Sequence, residues 1–125
     1  MGQQPPVLVK NFPDCRNQGA CRAFLREMEA FLFQSYRPQI IFDLSHVDHM
    51  NAAGIDLLLK CIVQIANRDG YLKLASPSAQ AALVLELTQL TGVVEIFDTV
   101  EGAMESFGVY HLAESHRPEP LPQNP

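Results

Sequence analysis

Apolar and polar positions alternate along this chain in two rhythms, short runs and longer helical ones. "PVLVK" (Pro6–Lys10) is a short β-prone run, closed by "NFPD" at Pro13. Asp14 or Asn17 is placed to cap the helix that follows. Within it Cys21, Phe24, Leu25, Met28, Phe31 and Leu32 recur at helical spacing, with Arg22, Arg26 and Glu29 turned the other way, which predicts one buried stripe. Pro38 ends that helix, and "QIIFDL" (Gln39–Leu44) is a compact apolar run of strand length. A second helix opens after Asn51 and runs towards Arg68, where Asp69-Gly70 closes it. Its expected core stripe is Ile55, Leu58, Leu59, Ile62 and Ala66. Asp56, Lys60 and Gln64 form a solvated line, with Asp56 one turn ahead of Lys60 for a favourable pair.

"YLKLA" (Tyr71–Ala75) alternates as a strand, and Ser76-Pro77 predicts an N-cap followed by proline at the first helical position. The third helix, in "SAQAALVLELTQL", is apolar nearly all round, as in a helix that is deeply buried or used as an interface. It ends at Gly92. "VVEIF" (Val93–Phe97) predicts a last strand and "TVEGAMESF" (Thr99–Phe107) a short last helix capped by Asp98 or Thr99. Strands alternating with helices define an α/β domain, with a mostly parallel sheet and right-handed crossovers. The domain is expected over residues 6–112. Residues 113–125, in a Pro-rich polar stretch with little to bury, are expected to form a disordered tail.

Composition narrows the function classes. The formal net charge is -5 and no Lys/Arg cluster occurs, which argues against a nucleic-acid partner. No apolar run is long enough for a membrane span, so no membrane insertion is expected. "MGQQPPVLVK" has neither a basic nor a long apolar segment of a secretory signal, and Pro6 stands where N-myristoylation at Gly2 wants Ser or Thr. The three cysteines, Cys15, Cys21 and Cys61, form no CxxC pair. Their odd count fits free thiols in a reducing cytoplasm, the expected location.

One loop carries tempting chemistry: Ser45, His46, Asp48 and His49 in "SHVDH". As a metal site it offers two imidazoles with no obvious further ligands, and as a triad its members are too close in sequence to reach one another. A solvated loop is the expectation, with no metal and no cofactor. No glycine-rich phosphate loop or acid–base pair supports an enzyme, though a sensor or enzyme centred on His46 and His49 is the third and weakest alternative.

The run "IIFDLSHVDHMNAAGIDLLL", followed by "SPSAQAALVLELTQLTGVVEIFDTVEGAMESF", resembles the STAS domain family of anti-sigma factor antagonists and their relatives. The family's strand ending in Asp-Leu falls on Asp43-Leu44, and its Asp-Ser-Ser-Gly-like motif on Asn51-Ala52-Ala53-Gly54. Its later pattern falls on Leu87, Leu90, Gly92, Ile96, Phe97, Thr99 and Ala103. The resemblance covers Val7 to Phe107 and implies a sandwich with a four- to five-stranded mixed sheet and about four helices. It departs from the family twice. Too few residues precede "VLVK" for the family's usual additional strand, so an open sheet edge is expected. The phosphoacceptor Ser/Thr position is Ala53, which has no hydroxyl, and the preceding carboxylate has become Asn51.

The resemblance implies a non-catalytic regulator of transcription that binds an anti-sigma factor kinase or related switch protein. The docking surface it implies is Ser45, His46, His49, Asn51, Ala52, Ala53, Gly54 and Asp56. With Ala53 the head of the helix would stay uncharged whatever kinase is present, a fixed mimic of the unphosphorylated state. The alternative is a scaffold subunit, a homodimer or part of a signalling or transport assembly, using the sheet edge and the third helix.

Overall fold

The computed structural model describes residues 6–108. Four strands, β1 (Val7–Asn11), β2 (Gln39–Asp43), β3 (Tyr71–Ala75) and β4 (Glu95–Phe97), lie side by side in chain order. Helices α1 (Gln18–Phe33), α2 (Ala52–Ala66) and α3 (Ala79–Leu87) connect them, and α4 (Val100–Ser106) follows the last strand.

All three strand pairings are parallel, in registers such as Val7 with Gln39 and Gln39 with Tyr71. This corrects the expected mixed sheet. An antiparallel neighbour needs a return without crossover, and every connection between these strands carries a helix back across the sheet. Among the described residues β1 pairs only with β2, at the edge of the sheet they form.

The sheet separates two cores. Ile40, Phe42 and Leu74 point to the face covered by α1, α2 and α3, where they meet Phe24, Met28, Leu58, Cys61 and Leu85. Phe12, Phe24 and Phe42 pack there with ring centroids 5.2 to 5.5 Å apart, edge-on or tilted. Ile41 and Ala75 point to the opposite face, where Ala103 and Phe107 of the α4 segment cover them.

Several local expectations are corrected by this packing. In α1 Phe24, Met28 and Leu32 are buried but Phe31 is 38% exposed. In α2 the buried residues are Leu57, Leu58, Cys61 and Ile65 with Gly54, while Leu59 is 44% exposed and Ala66 lies at the surface. This helix is apolar on most sides, so periodicity alone leaves its rotation open, and the groove above β2 and β3 decides it. Ser76 is not the cap of α3. It adopts φ 59°, and its N–H donates to Phe97 O, which prolongs the strand pairing. Ser78 caps instead, accepting from Ala81 N at 3.1 Å. β4 starts at Glu95 because a short 3-10 turn over Leu90–Gly92 draws in Val93 and Val94, whose N–H groups donate to Leu90 O.

α2 closes through Asp69 at φ 55°, with Gly70 N donating to Ile65 O. A side chain on Gly70 would lie 2.8 Å from the Pro38 carbonyl oxygen, so close approach of the two turns requires glycine there. The expectation of three free thiols is also corrected: Cys15 and Cys21 are joined in a disulfide, and Cys61 alone is free. Asn17 turns the chain into α1 between them, bringing their Cα atoms to 5.6 Å, a closeness that their spacing in the chain does not announce. The boundary expected between residues 112 and 113, and the tail beyond it, lie outside the described residues.

Candidate functional site

The site begins where β2 runs out at Asp43. Its carboxylate accepts from Ser45 N at 2.9 Å, and Val47 N donates to Leu44 O at 2.9 Å, so the connection leaves the sheet as two tight turns. Val47 and Met50 then bury their side chains in the core, leaving Ser45, His46, Asp48 and His49 exposed. The loop is a pinned one, with two apolar anchors holding a polar rim outward.

Two bonds from α3 complete the pinning. Met50 N donates to Gln80 Oε1 at 2.7 Å, and Ser78 Oγ donates to Asp48 O at 2.9 Å. Ser78 thus caps its own helix and ties down the loop. Neither partner can be inferred from sequence, because each lies thirty residues from the atom it holds.

Asn51 has extended backbone and caps α2, its Oδ1 accepting from Gly54 N at 2.8 Å. Ala52 and Ala53 open the helix and are both exposed. Gly54 is buried beneath Met50, whose Sδ would lie 2.7 Å from any Cβ added there. It shapes the helix head from inside. Asp56, exposed on the next turn, pairs with Lys60 at 3.0 Å in the expected i,i+4 arrangement.

Beside this surface runs a groove of about 190 Å³ between α1 and α2. Ala53, Asp56 and Lys60 line one wall, and Cys15, Cys21 and Arg22 the other. The α1 wall was not legible in the sequence, because no local pattern tells which helix packs against which. Asp14, just before Cys15, accepts from Arg16 N and Nε at 3.0 and 3.1 Å, and the guanidinium lowers its carboxyl to about 2. Cys61 lies on the core side of α2, and burial, aided by Glu29, pushes its thiol up to about 12.

Ser45 Oγ lies 3.5 Å from His46 Nδ1, and among the described residues no carboxylate joins them to make a triad. Among the described residues no group of three or more His, Cys, Asp or Glu side chains converges in a way that could hold a metal ion. No helix among them is long and apolar enough to cross a membrane. What the site presents is a small, uncharged, exposed helix head, rimmed by polar loop residues and supported from three elements.

Four parallel strands in chain order, with α1, α2 and α3 on one face and α4 on the other, define an α/β sandwich. The family follows from sequence: residues 15–103 match the STAS domain, and the chain belongs to that family. It is 31% identical over 77 residues to a Thermotoga maritima protein designated an anti-sigma factor antagonist, a match spanning 62% of this chain and 67% of the relative. Its fold is that of a STAS domain protein from Planctomyces limnophilus, with TM-score 0.69, 20% identity, and coverage of 81% of this chain and 90% of that one. It is also that of the STAS domain of a SulP transporter from Vibrio cholerae, with TM-score 0.67 and 17% identity over 84% and 83% of the two chains.

Proposed function

We propose that this protein is a non-catalytic regulator of the anti-sigma factor antagonist type, acting in the cytoplasm and docking on a protein partner through the head of α2. The surface comprises Ser45, His46, His49, Asn51, Ala52, Ala53 and Asp56, with Gly54 setting its shape from below. The partner class is an anti-sigma factor kinase or a related switch protein. The observation that carries this reading is the exposure of Ala53 in the first turn of a capped helix, the position to which the resemblance carries the family's phosphoacceptor. A hydroxyl there would sit beside free N–H groups and the positive end of the helix dipole. Alanine keeps the shape and removes the acceptor, so the surface stays in the unphosphorylated form.

Ala53→Asp tests it. The carboxylate lies at the favourable end of the dipole, so folding should survive, while a partner reading this surface meets an unpaired charge. Such charges cost about 2–5 kcal/mol at interfaces, so affinity for the partner captured from the native host should fall by about two to three decades. A well-folded variant that binds as tightly as the parent places the interface elsewhere.

A second reading, self-association as a scaffold subunit, is favoured by α3. Leu83 is 53% and Leu87 72% exposed, one turn apart. Sedimentation of the parent against Leu83→Glu/Leu87→Glu decides it: a dimer that the double variant converts to monomer supports it, and a monomeric parent removes it.

A further inference from the structure

Cys15 and Cys21 stand on the wall of the groove that faces Ala53 and Asp56. We propose that this pair is a reversible oxidative modification site, cycling between dithiol and disulfide with a low-molecular-weight disulfide as co-reactant, and that its state sets the surface around Ala53. As regulation of the docking face, this rests on the function proposed above. The reducing compartment it assumes rests on that proposal too, while the exchange steps themselves do not.

Three placements carry the inference. The pair reaches the groove through Cys21, which is half-buried and borders it, while Cys15 is buried in the core at 6% exposed. A disulfide in a reducing compartment is commonly transient and redox-sensing rather than structural. Arg22 borders the same groove, and Cys21 lies in the first turns of α1, near its N-terminal end. The third cysteine cannot compete: Cys61 is fully buried, on the core side of α2.

The exchange is balanced in two steps. The Cys21 thiolate, the more accessible of the two, attacks one sulfur of RSSR. An S–S bond forms between Cys21 and R–S, the R–S–S–R bond breaks, and RS⁻ leaves and takes up a proton. The Cys15 thiolate then attacks Cys21 Sγ, forming the Cys15–Cys21 bond and expelling the second RS⁻. Two protein thiols are oxidised, one RSSR is reduced to two RSH, and excess RSH or a dithiol reverses both steps. The consequence for the surface is mechanical. Oxidised, the Cys15 end of the loop after β1 is bonded to the first turns of α1. Breaking that bond would leave Phe12 in the core and the Asn17 cap to hold that loop, and would release the α1 wall of the groove.

The test uses the full chain in buffers of graded oxidised-to-reduced glutathione ratio, quenched by alkylation and mapped by mass spectrometry, with amide NMR spectra at the two extremes. Expected are a reversible loss of two hydrogens assigned to Cys15–Cys21, Cys61 unmodified until denaturation, and amide shifts that extend across the groove to Ala52–Asp56 and Lys60. Cys15→Ser and Cys21→Ser should each abolish these redox-dependent shifts, and the readouts on the parent stand even where a variant folds poorly. A pair that stays reduced across the glutathione range, a disulfide that excess dithiol fails to open, or shifts confined to residues 13–25 would each overturn the proposal. None of these measurements uses the partner, so their failure is distinct from tight partner binding by Ala53→Asp, which would sink the docking face instead.

Discussion

The backbone N–H of Met50, the last loop residue before the cap of α2, donates to the Gln80 side chain on α3 at 2.7 Å. This bond couples two helices that the sheet sequence separates by a strand. Through it the position of the α2 head depends on α3, although the two helices share no cap. Gln80→Ala leaves a partly buried N–H without its acceptor, which costs about 1–3 kcal/mol. Denaturant titration should show a loss in that range, and hydrogen exchange should accelerate first at Met50 and the preceding loop.

Gly54→Ala sets helix propensity against packing. Alanine is favoured by about 1 kcal/mol in a helix interior, yet its Cβ would sit 2.7 Å from the buried Met50 sulfur. Overpacking of this kind costs about 1–3 kcal/mol, and packing wins. The variant should be less stable than the parent, and the cost of Gly54→Ala should be smaller in a Met50→Ala background, a coupling readable in a double-mutant cycle.

The cap at Asn51 has a separable value. Asn51→Ala should cost about 1 kcal/mol by loss of the bond to Gly54 N. Asn51→Asp keeps the acceptor and adds a charge at the positive end of the dipole, so it should equal or exceed the parent by up to about 1 kcal/mol. A thermal melt of the three proteins that placed Asp below Ala would contradict the cap geometry.

The Asp14–Arg16 pair predicts a pH dependence of definite sign. The carboxyl is lowered in the folded protein to about 2, below its ordinary value of 3.8. Its contribution to stability is therefore complete above the unfolded value and is lost as pH falls through about 2. The pair is solvent-facing, so the effect is small. Asp14→Asn should run parallel to the parent near neutral pH and converge with it in stability only across this acid window, followed by unfolding midpoints. A gap that stays constant through that window would mean that the pair is not formed.

The unaltered protein should take up no phosphate at residue 53 from an anti-sigma kinase of its host, for want of a hydroxyl. Ala53→Ser should accept phosphate slowly, with Asn51 in place of the family's carboxylate. Phosphate mapped by mass spectrometry to Ser45 in the parent would end the fixed-mimic reading.

The order of elements, the cap at Asn51 and the Asp56–Lys60 pair were legible in the chain because each is local: caps, i,i+4 pairs and apolar periodicity act within a few residues. So was the resemblance that placed the candidate site at Asn51–Gly54. The rest depended on which surfaces meet. α2 is apolar on most sides, so only the sheet beneath it selected Leu57, Cys61 and Ile65 for the core and left Leu59 outside. Ser76 has every local mark of a cap, but its N–H bond to Phe97 O extends the strand pairing and moves the helix start to Ser78. The parallel sheet, the Gln80 bond to Met50 and the groove that sets Cys21 opposite Ala53 join segments far apart in the chain. Such contacts are decided by the closing of the whole core, since no short stretch of sequence holds both partners.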